Sequence, residues 1–166
     1  MKKELSIILP VFNEKDSLPI MVRLLNTTIK FPKEIIIVYD DEKDNSVKIA
    51  KELASESSDI RAIHNQLGKG AKYAVETGIN NSKYDNIVTM DGDGQNHPKD
   101  ILSLADEYFQ NNYVLVSGIR KKRKDSFIKK ISSKIANNFR SLILKDNCPD
   151  TGCGLKIFNK IIFLKI

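Results

Sequence analysis

Short runs of strand-forming residues alternate with stretches of helical periodicity along most of this chain, and that alternation narrows its possible folds more than any other feature. Strand patterns at residues 5–9, 34–39, 60–64, 86–90 and 113–117 are separated by helical patterns at 17–29, 46–54, 71–79 and 99–109. Alternation at this spacing predicts βαβ units and an α/β fold with a mainly parallel sheet. The runs Ser6-Ile7-Ile8-Leu9 and Ile35-Ile36-Ile37-Val38 lack polar alternation, as strands covered on both faces do. In such sheets ligands collect at the carboxyl ends of the strands. The residues with chemical potential sit there: Asn13 and Glu14 after the first strand, Asp40 after the second, Gly68-Lys69-Gly70 after the third, Asp91 and Asp93 after the fourth.

At 166 residues the chain fits one domain, large enough to hold a core without covalent staples. Cys148 and Cys153 have neither CxxC spacing nor a nearby histidine, so they read as reduced thiols of a cytosolic protein. The apolar run that follows Met1-Lys2-Lys3-Glu4 ends at Pro10, too early for a signal-peptide core. No stretch approaches the ~18 apolar residues of a membrane span. The final run, 160–166, is apolar with no turn after it, and reads as an element cut short.

The net charge of +6 is concentrated. Residues 120–134 carry eight lysines and arginines against one acid, Asp125, so +7 lies there and the remainder carries about −1. A solvated loop and a surface for an anionic partner both fit such a stretch. Within 127–144, Phe127, Ile131, Ile135, Phe139 and Leu142 share one helical face, and Lys129, Lys130, Lys134 and Arg140 share the other. This basic amphipathic helix either packs on the domain or lies at a bilayer interface with its lysines toward anionic head groups. Nucleic acid is a poorer partner, because Phe127 is the sole aromatic in the basic stretch and stacking platforms are missing.

Asp91-Gly92-Asp93-Gly94-Gln95 combines two carboxylates two residues apart with flexible glycines. Residues so spaced leave a strand on one side, so Asp91 and Asp93 can converge on one hard cation with Gln95 as a third oxygen. Oxygen ligands favour Mg²⁺ or Mn²⁺, and too few are present for a closed cage, which leaves room for a diphosphate. An EF-hand would need Gly and Glu where Asn96 and Leu102 stand. The alternative is an acidic turn that caps the helix starting near Pro98. Gly68-Lys69-Gly70 precedes a helix whose amides could meet a phosphate, yet it matches neither the P-loop nor the dinucleotide fingerprint. His64 and His97 are isolated and read as strand-end and loop residues. A phosphoryl-accepting receiver domain would want its acidic pair after the first strand, where Pro10-Val11-Phe12-Asn13-Glu14 stands.

Taken in order, residues 6–14, the aspartates after the second strand, Gly68-Lys69-Gly70, Asp91-Gly92-Asp93-Gly94-Gln95 and Asp150-Thr151-Gly152-Cys153-Gly154-Leu155-Lys156 resemble the family 2 glycosyltransferases of GT-A fold. The branch they most resemble is the polyprenyl-phosphate, dolichyl-phosphate mannosyltransferase-like group. The resemblance implies a Rossmann-like, mainly parallel sheet, a nucleotide-sugar donor (GDP- or UDP-hexose), inversion at the anomeric carbon, and a divalent cation, Mg or Mn. It implies that Pro10, Phe12, Glu14, Asp40 and Lys69 contact the donor, that Asp91, Asp93 and Gln95 hold metal and diphosphate, and that Arg120 and Lys134 face the acceptor phosphate. Tyr39 stands where such enzymes commonly have the first of two aspartates, which leaves Asp40 as the candidate, and Lys134 stands in place of an arginine. The resemblance further implies a peripheral enzyme at the cytoplasmic membrane face, attached through 120–134 and 127–144. Residues 1–166 then form one catalytic domain that is incomplete at its carboxyl end.

With a polyprenyl phosphate acceptor, the nucleophile is already mostly dianionic at neutral pH, since a phosphomonoester has its second pKa near ~6. With a saccharide hydroxyl acceptor a proton must be removed, and Asp150 becomes the base, joining Asp93 among the catalytic candidates. A third possibility is a nucleotide-binding remnant that transfers nothing.

Overall fold

The computed structural model describes residues 2–94, 96–120, 150 and 152–165. Its elements are β1 (Leu5–Val11), α1 (Ser17–Thr28), β2 (Lys33–Tyr39), α2 (Ser46–Glu56), β3 (Ile60–His64), α3 (Ala71–Asn80), β4 (Asn86–Thr89), α4 (Pro98–Gln110), β5 (Leu115–Ser117), β6 (Lys156–Asn159) and α5 (Lys160–Phe163). They build a six-stranded sheet in the order β3-β2-β1-β4-β6-β5. The pairs among β1 to β4 are parallel, while β6 runs antiparallel between β4 and β5. The predicted alternation is realised through β5. What it does not contain is β6, whose four residues enter the sheet from the far end of the chain.

β1 and β2 are buried on both faces, with Ile7, Ile8, Leu9, Ile36, Ile37 and Val38 at 0% exposure. Burying each such side chain contributes about 1.5–3 kcal/mol. One face of the sheet presents Ile7, Leu9, Ile35, Val88 and Ile157 to the core that also holds Leu18 and Leu25 of α1, Ala50 of α2, and Ile101 and Ala105 of α4. The other face presents Ile8, Ile36, Val38, Ile87 and Phe158, packed with Ala74 and Ile79 of α3. Among the described helices α3 covers the β1–β2 part of this second face and the short α5 reaches Phe158 through Phe163, so the cover thins toward β4 and β6. Pro10 is tolerated inside β1 because pairing with β4 stops at Ile8 opposite Thr89, beyond which a missing N–H costs no ladder bond.

The amino ends of the strands are closed by a buried network. Glu34, 4% exposed, accepts from the Ser6 hydroxyl (2.6 Å) and the Lys83 amide and pairs with Arg61 (3.5 Å). The Ser6 oxygen in turn accepts from the Tyr84 amide at 3.0 Å. Three strands, β1, β2 and β3, and the α3–β4 connection are thereby tied together with the carboxylate's lone pairs satisfied.

Asn159 caps α5, its side-chain oxygen accepting from the amides of Ile161 and Ile162, so the apolar run at 160–166 opens as a helical turn. No helix among the described residues is long and apolar enough to cross a membrane. The amphipathic segment 127–144, Lys134 and Cys148 lie outside the described residues, as does the basic stretch beyond Arg120.

Gly78 sets how closely α3 approaches β1, since a Cβ there would lie 2.5 Å from Ile8 Cγ2. Gly78→Ala is expected to cost about 1–3 kcal/mol in overpacking, offset in part by the ~1 kcal/mol helix preference of alanine. A lower urea midpoint with an unchanged m-value checks this.

Candidate active site

At the carboxyl ends of β1, β2 and β4 the polypeptide opens into a cleft of about 460 Å³ lined by Pro10, Phe12, Asp40, Asp41, Lys69 and Asp91, a volume in the range of small-molecule sites. The loop after β1 is held by the loop before α2. The Asn13 amide donates to Asp44 Oδ2 (2.8 Å) and the Glu14 amide to the Ser46 hydroxyl (2.7 Å). Burial pushes the Asp44 carboxyl up, but bonds from Ser46 and from the Asn13 amide outweigh it and hold the group below its ordinary value. Glu14 turns back to accept from the Ser17 hydroxyl, and Phe12 is left 72% exposed at the mouth. A ring so placed offers an open face for stacking.

Asp40 is engaged by the loop after β3. Asn65 Nδ2 donates to Asp40 Oδ1 (2.7 Å) and the Gly70 amide to Asp40 Oδ2 (2.6 Å). Asn65 is the hub. Buried at 4% exposure, it also donates to the Gly68 carbonyl (2.6 Å) and accepts from the Thr77 hydroxyl (2.8 Å) and the Leu67 amide (3.0 Å). This network fixes Gly68-Lys69-Gly70 against β2 and leaves the Lys69 side chain exposed on the cleft wall.

Asp91 stands where the cleft meets the turn 152–154. A Cβ on Gly154 would lie 2.2 Å from Asp91 Oδ2, so the carboxylate occupies the space that any other residue would fill. Thr89 Oγ1 donates to the Gly154 carbonyl at 2.7 Å and pins the turn. Partial burial, then the Asp93 carboxylate, push the Asp91 pKa up, while Lys156, Arg120 and a bond to Asn96 pull the other way. A carboxylate whose proton affinity is raised by a second carboxylate nearby fits a shared divalent cation, which removes that repulsion. Among the described residues no three His, Cys, Asp or Glu side chains gather into a metal-binding group. A cation held by Asp91 and Asp93 would need water or phosphate oxygens to complete its shell, as Mg²⁺ and Mn²⁺ sites commonly do. The capping alternative falls to another residue, since His97 Nδ1 accepts from the Lys99 amide and starts α4.

Asp150, 5% exposed, forms a two-pronged pair with Arg120. Nε donates to Oδ2 (2.9 Å), Nη2 to Oδ1 (2.8 Å), and the Arg120 amide adds a third bond at 3.2 Å. Bidentate pairs of this kind hold geometry strongly. This one clasps the end of β5 to the start of the turn that carries Gly154.

The cleft thus brings together Pro10, Phe12, Asp40, Lys69 and Asp91, with Asp93 beside Asp91. Glu14 faces Ser17, and Arg120 and Asp150 face each other; Gln95 and Lys134 lie outside the described residues. Asn65 has no place in the sequence motifs, although an asparagine just past a strand end is a visible signal. Gly154 and Lys156 stand in the 150–156 motif, but their approach to Asp91 is not local, because that partner is distant in the chain.

The chain matches the glycosyl transferase family 2 over residues 6–166 and belongs to that family. It is 36% identical over 168 residues to a dodecaprenyl-phosphate galacturonate synthase of Rhizobium johnstonii, covering 98% of this chain and 50% of that protein. It is 34% identical over 167 residues to an undecaprenyl-phosphate 4-deoxy-4-formamido-L-arabinose transferase of Yersinia enterocolitica, covering 96% and 50%. The chain therefore spans about half the length of these relatives. Among solved structures, glucosyl-3-phosphoglycerate synthase of Mycobacterium tuberculosis in complex with UDP superposes with a TM-score of 0.73 at 15% identity, covering 96% of this chain and 57% of that one. The same enzyme with Mn²⁺, UDP-glucose and phosphoglyceric acid gives 0.72 at 13% identity, covering 96% and 57%. The fold is GT-A, as expected.

The Asp91 shift has a testable sign. Its folded-state pKa is raised, so the native state binds the proton more tightly. Stability conferred by the protonated group is lost as pH rises from the unfolded value, about 4, through the folded one. Asp91→Asn is expected to raise the metal-free Tm at pH 7, by roughly 1–3 °C, with the difference vanishing below pH ~4. Melting curves across pH without divalent cations check it.

Proposed function

We propose that this chain carries the donor half of an inverting glycosyltransferase that moves a sugar from a nucleoside diphosphate to a polyprenyl phosphate. The observation that supports the reading is a cleft lined by Phe12, Asp40, Lys69 and Asp91, with the Asp93 carboxylate acting on Asp91. Phe12 and Pro10 contact the nucleoside, Asp40 meets base or ribose from its anchored position, and Lys69 adds charge toward phosphate. Glu14 orders the loop that presents Phe12. Asp91 and Asp93, with Gln95, hold Mg²⁺ or Mn²⁺, which when bound neutralises charge on the departing diphosphate. Both relatives are named for polyprenyl-phosphate products or acceptors, which supports the acceptor class. The same reading puts the protein peripherally at the cytoplasmic membrane face, with Arg120, Lys134 and segments 120–134 and 127–144 toward the lipid.

The Arg120 pair favours a phosphate over a hydroxyl acceptor. Asp150 is 5% exposed and both its oxygens accept from Arg120, an arrangement better suited to holding Arg120 than to taking a proton. A phosphomonoester dianion needs no base.

Thermal shift with GDP and UDP, with and without Mn²⁺, tests the donor site. Stabilisation of about 2.7 kcal/mol is expected at a hundredfold excess over Kd, dependent on the metal and abolished by Asp93→Asn. Absence of metal-dependent stabilisation by either nucleotide refutes the assignment. With GDP-mannose, UDP-glucose or a related donor and a short polyprenyl phosphate, Asp150→Asn is expected to raise KM for the acceptor and to lower kcat by less than ~10²-fold. Loss of a base would cost about 10²–10⁴-fold.

A further inference from the structure

A second cavity, about 450 Å³, lies on the sheet face that α3 covers only in part. It shares Pro10, Ala71 and Asp91 with the nucleotide cleft, so the two spaces meet at the metal-binding carboxylate. Val75, Met90, Phe158 and Phe163 give it apolar walls, with the Phe158 and Phe163 rings 5.3 Å apart. One cation rises from its floor. Lys156 pairs in register with Thr89 on β4 and Ser117 on β5, and lies two residues before Phe158, so both side chains leave β6 on the cavity side. Its ammonium donates to the Cys153 carbonyl, which holds it toward the turn beside Asp91. The other charges on the wall are Lys72 and Glu76 of α3, which oppose each other, and Asp91 at the junction with the nucleotide cleft. With Asp91 given to the cation of the donor reading, Lys156 is the charge left for an anion at this end of the cavity.

We propose that this second cavity receives the phosphate end of an apolar-tailed phosphomonoester, with Lys156 as the cation that binds the phosphate and Phe158, Phe163 and Val75 as the wall for the first apolar units. The proposal rests on the donor-cleft reading and adds to it a residue and a route of entry. Inversion requires the nucleophile to approach opposite the leaving group, and two cavities meeting at Asp91 provide separate approaches. A phosphate oxygen forms the bond to the anomeric carbon as the bond from that carbon to the diphosphate oxygen breaks. The electron pair departs with the nucleoside diphosphate and no proton need move. A saccharide acceptor fits this cavity less well, because its walls are largely apolar. Thr89 already donates to Gly154, and Asp150 already accepts from Arg120. Lys156 and Asp91 line the same cavity, which puts the lysine near the junction.

Isothermal titration of the protein with farnesyl phosphate, farnesol and inorganic phosphate, each in the presence of Mn²⁺ and UDP or GDP, tests the proposal. Farnesyl phosphate is expected to bind at least roughly tenfold more tightly than either farnesol or inorganic phosphate, since the cation and the apolar wall act together. Lys156→Met should weaken farnesyl phosphate by about 10- to 100-fold, the size of a lost charged hydrogen bond, while nucleotide affinity stays within about twofold; Lys156→Arg should retain most binding. Phe163→Ser, at a half-exposed position, should weaken farnesyl phosphate and leave inorganic phosphate unchanged. The proposal is overturned if Lys156→Met leaves farnesyl phosphate binding intact, if it weakens nucleotide and farnesyl phosphate alike, or if inorganic phosphate binds as well as the lipid. Failure of every nucleotide to bind the wild type would instead refute the donor reading.

Discussion

Burial of β1 and β2 on both faces is the constraint from which the rest follows. With Ile7, Ile8, Leu9, Ile36, Ile37 and Val38 fully sealed, the middle of the sheet can carry no charge, because an ionised group there would lose its hydration without a partner. Charge is displaced to the strand ends. At the amino ends it is consumed structurally, in the network of Glu34, Ser6 and Arg61. At the carboxyl ends it is exposed to a cleft, and the loops there are built from polar side chains that hold one another.

Those loops are less independent than their spacing implies. Asp44 and Ser46 shape the turn after β1, and Asn65 couples Asp40 to the turn before α3. Each presents a residue to the cleft from a backbone fixed elsewhere. This is preorganisation by neighbouring loops, and it lets exposed groups such as Phe12 and Lys69 sit on a rigid frame.

β6 provides the second organising element. By entering antiparallel between β4 and β5 it delivers Gly154 and Lys156 to the end of β4, where Asp91 emerges. The Arg120–Asp150 pair closes the same arrangement from the β5 side. Asp91 thus feels opposing charges, with Asp93 raising its proton affinity and Lys156 and Arg120 lowering it. A solved structure at 15% identity superposes with a TM-score of 0.73, so the fold accommodates wide exchange of side chains.

Much of this was written locally in the chain. Apolar runs without alternation, the interleaved helical periodicity and the Asp91-Gly92-Asp93 spacing are short-range patterns, and they determined the parallel core, the placement of polar residues at strand ends and the paired carboxylates. The linear order could not disclose the insertion of β6, because a four-residue strand has too little periodicity to be seen and its place depends on which sheet edge remains open. Nor could it disclose that Asp150 faces Arg120 across 30 residues or that Asn65 gathers Asp40, Gly68 and Thr77. Those are choices among partners, and only packing makes them: a carboxylate or amide satisfies its hydrogen bonds with whichever groups the fold brings within reach, and the fold is set by burial first.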